Sequence, residues 1–218
     1  MCGRYAIVQQ KNDLETFYDA NMKAAWKPRY NAAPTQELPL VLDADPAHIV
    51  VARWGLIPFW AKDDKIGARL INARSETVAE KPTFRTSFKK RRCLIPATHF
   101  YEWKKTTSIK KPFAIHLKSK ELFSFAGLWD EWKSSKGELI RTFTILTCGP
   151  NSVMKKIHDR MPVILKKSDE EAWMNPTSSE TALQKLLKPF SSSQLVAYEI
   201  STLVNLPTND NPAVVQPV

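Results

Sequence analysis

Cys93-Leu94-Ile95-Pro96-Ala97-Thr98-His99-Phe100-Tyr101-Glu102-Trp103 is apolar and aromatic and carries a single carboxylate. Period-two alternation predicts a strand with Phe100 and Glu102 on one face and His99, Tyr101 and Trp103 on the other. A carboxylate flanked by Tyr101 and Trp103 in such a strand has its pKa raised if buried, the state a general acid/base needs. A plain pairing of Glu102 with a lysine at a sheet edge fits the same residues.

Outward from this stretch the pattern stays strand-like. A polar hairpin turn is expected over 104–111, a strand pair over 112–118 and 121–129, and a strand over 139–148. Upstream, strands are expected at 38–42 and 48–54, separated by Asp43-Ala44-Asp45-Pro46, and at 69–73 around Asn72. Helical patterns cover 12–25, with Asn12 as N-cap and Glu15 as its capping-box partner, then 168–174 and 179–188. A short helix capped by Asn151 ends near Pro162 with His158 at its C-terminal end, and 163–165 is a short strand. The Pro- and Asn-rich tail, 204–218, is expected to extend over the surface. Strands punctuated every ten or so residues suggest a closed or half-closed sheet system. The expectation is α+β: a single domain over 1–218, with a barrel-like, mostly antiparallel core and peripheral short helices.

Composition bounds the function. At 43% hydrophobic and 25% charged residues, the chain is an ordinary globular one. No apolar run approaches a membrane span and no signal pattern opens the chain, so a cytoplasmic location and no membrane partner are expected. Three cysteines far apart (Cys2, Cys93, Cys148) make no disulfide framework. No Cys-x-x-Cys or His-x-x-x-His spacing suggests a zinc site, and no metal or cofactor is expected. Cys93 and Cys148 sit in apolar contexts and read as core thiols. A net charge of +10 favours a polyanionic partner, nucleic acid first. The run Lys89-Lys90-Arg91-Arg92 reads as a solvated face. In Trp54-Gly55-Leu56-Ile57-Pro58-Phe59-Trp60, Trp54 is assigned to the core, while Phe59 and Trp60 are open between core and stacking surface.

The N-terminus, Met1-Cys2-Gly3-Arg4-Tyr5, offers distinctive chemistry. Met is normally trimmed before a small residue, which would leave Cys2 with a free α-amine and a thiol on adjacent carbons. The amine (pKa about 7.7–8.0) and the thiol (about 8.5) are both partly nucleophilic near neutrality. Such an aminothiol condenses with an aldehyde to an imine and closes to a thiazolidine. Cys2, Asn72, Glu102 and His158 are the candidate reactive groups. Each also has a structural explanation: Asn72 as a turn residue, His158 as a helix-end cap. A Cys, a His and an Asn or Glu also describe a cysteine peptidase.

Seven segments in order give the chain a family resemblance: Met1–Tyr5, Arg29–Thr35, Trp54–Pro58, Ile71–Thr77, Arg92–Pro96, Phe100–Trp103 and Ile157–Pro162. Together they resemble the SOS response-associated peptidase (SRAP) family, bacterial relatives of a eukaryotic abasic-site sensor. The resemblance implies a single α+β domain with a basic groove for single-stranded DNA. It implies a covalent thiazolidine crosslink between the mature N-terminal Cys2 and abasic sites, as part of a DNA damage response. Asn72 would position Cys2, Glu102 would accept and donate protons, and His158 would protonate the sugar ring oxygen. Arg4, Arg74 and Arg160 would hold phosphates. Phe59 and Trp60 would stack beside the lesion, and Asn31, Pro34 and Thr147 would complete the DNA surface. A monomer in the bacterial branch of the family is expected. Two other functions stay open: a thiol autopeptidase with incidental DNA affinity, and a non-enzymatic single-strand binder.

Overall fold

A computed structural model describes residues 2–107 and 109–218; Met1, whose removal is expected above, lies outside the described residues. The elements in chain order are β1 (Tyr5–Ile7), α1 (Lys11–Tyr18), β2 (Asn21–Met22), β3 (Arg29–Ala32), β4 (Glu37–Leu42), β5 (Asp45–Trp54), β6 (Asn72–Arg74), α2 (Arg85–Lys90), β7 (Arg92–Ala97), β8 (His99–Lys105), β9 (Lys110–Leu117), β10 (Phe123–Lys133), β11 (Leu139–Cys148), β12 (Met161–Pro162), β13 (Ile164–Leu165), α3 (Lys167–Met174), α4 (Glu180–Leu186) and β14 (Leu195–Glu199).

The stretch 93–103 is divided between two strands, and that division makes the fold. Thr98 breaks it: its Oγ1 donates to the Ala6 carbonyl (3.1 Å) and accepts from the Val8 amide (3.2 Å). β7 enters one sheet and β8 another. In the first, β5, β4, β7, β10 and β11 pair antiparallel in that order. The ring closes through a parallel contact of β11 with β5, Thr142 opposite Arg53 and Phe143 opposite Trp54. A closed ring leaves no free edge along the barrel wall. Leu38, Leu40, Ile95, Phe125 and Phe143 are among its buried residues. At Gly127 a Cβ would lie 2.5 Å from Ile95 Cδ1 and 2.8 Å from Cys93 Sγ, so any larger residue forces those buried side chains to shift.

The second sheet has the order β14-β9-β8-β1-β3. Tyr5 of β1 locks it to the barrel, packing edge-on against Trp54 and Phe125 with centroids 5.1 and 5.7 Å apart. Its other face carries a smaller core of Ala6, Tyr101 and Ala114, covered by Ile200, Val204 and Val214 of the C-terminal segment. Alternation in β8 is as expected: Phe100 joins the main core and Tyr101 the smaller one. Trp54 is fully buried, and Cys93 and Cys148 are buried free thiols.

Several expectations are corrected. The first helix ends at Tyr18, because Asp19 turns left-handed (φ 49°). Its cap is Gln10, whose amide donates to Asp13 Oδ2 (3.0 Å), and Glu15 instead accepts from the Met22 amide. The strand near 69–73 begins only at Asn72. The strands expected to pair over 112–118 and 121–129 lie in different sheets: β9 pairs with β8 and β14, β10 with β7, β11 and β13. Arg92, expected in solvent, is fully buried. The tail is not merely draped: Tyr198 donates to the Val215 carbonyl (2.7 Å), and Val204 and Val214 are core residues.

Candidate active site

The two sheets meet at Cys2. The residue precedes β1, so the second sheet carries it, and its side chain is buried in the main core. Across the seam, Asn72 Nδ2 donates to the Cys2 carbonyl (2.8 Å). Asn72 is held by the parallel pairing of β6 with β11, Asn72 opposite Ile145 and Arg74 opposite Thr147. Asn72 Oδ1 is buried and has no hydrogen-bond partner among the described residues. A buried open acceptor costs free energy unless something fills it.

Cys2 Sγ lies 3.8 Å from the Arg4 carbonyl, its hydrogen-bond partner. Burial, reinforced by the nearby Glu102 charge, pushes the thiol well above its usual range. Glu102 is itself only 2% exposed, and burial pushes its carboxyl up to about 7. His158 Nε2 lies 3.8 Å from Glu102 Oε2. Burial holds the imidazole below its ordinary value.

Two partners compete for His158 Nδ1. The Arg160 amide donates to it (3.0 Å), while Asp159 Oδ1 lies 2.9 Å away. An amide can only donate and a carboxylate can only accept, so the two contacts belong to different protonation states. The neutral ring accepts from Arg160 and carries its proton on Nε2, toward Glu102; the imidazolium gives Nδ1–H to Asp159. The local chain therefore serves both forms of the histidine.

Arg160 NH1 and NH2 bind Glu76 in a fork (2.6 and 2.9 Å), and NH2 also donates to the Thr147 carbonyl (2.6 Å) and Oγ1 (3.2 Å). Thr147 is buried and Arg74 exposed on the neighbouring strand. Arg4 NH1 donates to Asn31 Oδ1 (2.9 Å) and the Val204 carbonyl (2.6 Å). Asn31 is fully buried and donates to the carbonyls of Val204, Leu206 and Asn209. Both residues tie the C-terminal segment to the second sheet at β1 and β3. Pro34 is half-buried at the turn between β3 and β4.

Phe59 and Trp60 are 54% and 50% exposed. Gly55 (φ 118°) starts their loop, and contacts to β10 pin it: Phe59 N–H to Asp130 Oδ2 (3.0 Å), Trp132 Nε1 to the Ala61 carbonyl (2.7 Å). Ile57 N–H binds Thr142, whereas Arg74 sits opposite Thr147. Five residues of strand, roughly 17 Å, separate the two positions along β11. Thus Cys2, Asn72, Glu102, His158, Arg160, Thr147 and Arg74 form one connected cluster, and the aromatic pair stands beyond it. Glu76, given no role in the sequence reading, is the addition; its one signal is its place two residues after Arg74 in the Ile71–Thr77 segment.

The SOS response associated peptidase (SRAP) family model matches residues 1–207. The chain belongs to the SRAP family. Abasic site processing protein YoaM of Bacillus subtilis is 46% identical over 97% of this chain and 96% of its own. Abasic site processing protein HMCES of Xenopus tropicalis is 30% identical over 97% of this chain and 77% of its own. A crystal structure of a protein from Bacteroides thetaiotaomicron superposes with a TM-score of 0.93 at 31% identity, covering both chains fully. Among the described residues of this SRAP chain, no helix is long and apolar enough to cross a membrane. No group of three or more His, Cys, Asp or Glu side chains among them is placed to hold a metal ion.

Proposed function

We propose that this SRAP protein processes abasic sites in single-stranded DNA by forming a thiazolidine with Cys2 after removal of Met1. The carrying observation is the Asn72 amide, which grips the Cys2 carbonyl through Nδ2 and leaves a buried Oδ1 open. An α-ammonium freed at Cys2 is the donor that such an acceptor suits. The relatives named as abasic site processing proteins support the substrate class.

Glu102, as carboxylate, takes a proton from the α-ammonium. Protonated His158 gives one to the sugar ring oxygen as the ring C–O bond breaks, and the anomeric O–H proton passes to water, exposing the aldehyde. The amine adds to the carbonyl carbon, water leaves, and an imine forms. The thiol then adds across the C=N bond: sulfur bonds to carbon, and the thiol proton ends on nitrogen. The net reaction is aldehyde plus aminothiol to thiazolidine plus water. A carboxyl near 7 serves both as acceptor and as donor at neutral pH. The raised thiol favours this order over peptide hydrolysis, because a peptidase needs its thiolate first and the crosslinker needs its amine first. In this reading Arg74 and Arg160 meet phosphates, Arg4 does so only by giving up its bonds to Asn31 and the Val204 carbonyl, and Phe59 and Trp60 offer faces on which bases stack.

The test uses abasic single-stranded DNA and a denaturing gel. Protein starting at Cys2 should give a denaturation-resistant adduct. Protein with an uncleavable residue ahead of Cys2 should give none, because an amide nitrogen is not nucleophilic. A stable adduct from the blocked protein would overturn the mechanism.

A further inference from the structure

On the face of β8 opposite Glu102, His99 and His116 stand side by side. In the β8–β9 register Phe100 faces Ile115 and Tyr101 faces Ala114, so the next pair along is His99 with His116. Their ring centroids are 5.2 Å apart, and both rings line a cavity of about 450 Å³ closed by Thr98, Tyr198, Gln216 and Pro217.

The hydrogen bonds fix both tautomers. His116 Nδ1 lies 2.6 Å from the Leu117 carbonyl, which can only accept, so Nδ1 carries the proton. His99 Nδ1 lies 3.1 Å from Thr98 Oγ1. That hydroxyl already donates its one proton to the Ala6 carbonyl, so it accepts from His99 Nδ1–H. Each ring therefore keeps an Nε2 lone pair.

We infer that His99 and His116 form a two-histidine site for a borderline divalent transition-metal ion such as Zn²⁺, bound through both Nε2 atoms. An Nδ1–H given to a carbonyl or hydroxyl is the outer-shell arrangement that orients metal-binding imidazoles. The spacing also fits. With Zn–N of about 2.0–2.1 Å and roughly 1.1 Å from nitrogen to ring centre, tetrahedral ligation puts two centroids about 5.2 Å apart. The remaining positions fall to water in the cavity. Lys120, exposed at the cavity rim, opposes a cation and makes this an exchangeable site rather than a tight structural one.

The test is a Zn²⁺ titration of the full chain followed by imidazole ¹⁵N resonances. The Nε2 signals of His99 and His116 should shift together and saturate at one equivalent, with both Nδ1–H retained. His99→Gln and His116→Gln should each weaken Zn²⁺ binding about tenfold or more, and His48→Gln should leave it unchanged, near-UV circular dichroism checking that each variant is folded. Zn²⁺ that moves only His48 or His158, or neither Nε2 at millimolar metal, overturns the site. So does undiminished affinity in folded His99→Gln or His116→Gln.

Discussion

The surroundings of Arg92 and of Arg160 pose the same physical problem and solve it differently. Each guanidinium is withdrawn from water. Arg92 Nε donates to the Trp173 carbonyl (2.7 Å), NH1 to the carbonyls of Phe88 and Lys89, and NH2 to the Asn175 carbonyl (2.9 Å). Main chain from α2 and from the end of α3 closes that shell beside the buried Asp43 carboxylate, 4.0 Å from NH2, and none of it can leave without unfolding. Arg160 shares NH2 with the Thr147 carbonyl, but its main partner is the Glu76 carboxylate, 52% exposed, and its Nε is buried with no partner among the described residues. A cation closed by main chain is architecture. One held by a surface carboxylate can trade that partner for another anion. The same contrast holds for carboxylates: Glu170 accepts from Ser124 (2.6 Å) and pairs with Lys167, whereas Glu102 is poised to titrate.

The largest expected effect lies on the Cys2 side. Glu102→Gln keeps the shape and removes proton exchange, so crosslinking should slow by about 10²–10⁴-fold, the usual worth of a general acid/base. The pH profile carries the sign. Glu102 acts first as a base, and with its pKa raised to about 7 it is protonated below that value and ionised above it. Where amine addition limits, the wild-type rate should therefore fall as the pH drops through about 7; ring opening by protonated His158 has the opposite dependence, because burial lowers that imidazole's pKa. In the variant the fall should move to the α-amine's own value, about 7.7–8.0. Single-turnover crosslinking across pH 5–9 reads both; coincident profiles would remove Glu102 from the chemistry.

Arg92→Met should act on the fold alone. Stripping a buried cation from its acceptors costs about 3–5 kcal/mol, and at about 2–4 °C per kcal/mol for a chain of this size the melting temperature should drop by roughly 10 °C. Crosslinking per folded molecule should stay at the wild-type rate. A melting temperature within a degree or two of wild type would mean the carbonyl shell is satisfied without the guanidinium.

Legibility follows the range of the interaction. β11, β4 and β5 are readable because apolar, β-branched runs bounded by turn residues are local signals, and Trp54 because a large aromatic at the end of a strand seeks the core. The break at Thr98 is not, since both halves of 93–103 are apolar and only the Ala6–Val8 backbone, from another part of the chain, selects where the strand divides. Arg92 reads as solvated because the segment that covers it, with the Trp173 and Asn175 carbonyls, comes from more than 80 residues away. In the site, Cys2 and Glu102 announced themselves through local chemistry. The Asn72–Cys2 bond spans 70 positions and the Arg160–Glu76 fork 84. No spacing rule reaches that far; the ordered family segments grouped those residues, and they said nothing of Glu76.

The smallest effect tests the comparison itself. Arg160 holds Glu76 low in pKa, so the carboxylate is ionised at neutral pH and occupies the fork that a phosphate would need. Glu76→Gln leaves a neutral amide of the same size there. If Arg160 exchanges partners, the variant should bind undamaged single-stranded DNA more tightly, by up to about fivefold, because an ion pair with a half-exposed partner is worth at most about 1 kcal/mol. Fluorescence anisotropy at two salt concentrations measures it, and adding Arg74→Ala should reduce the salt slope by about 0.7, the share of one phosphate contact on a single strand. An affinity unchanged or weakened by Glu76→Gln would place Arg160 with Arg92, as a cation that holds the fold. Arg74, exposed on β6 beside it, would then be left to meet the phosphate.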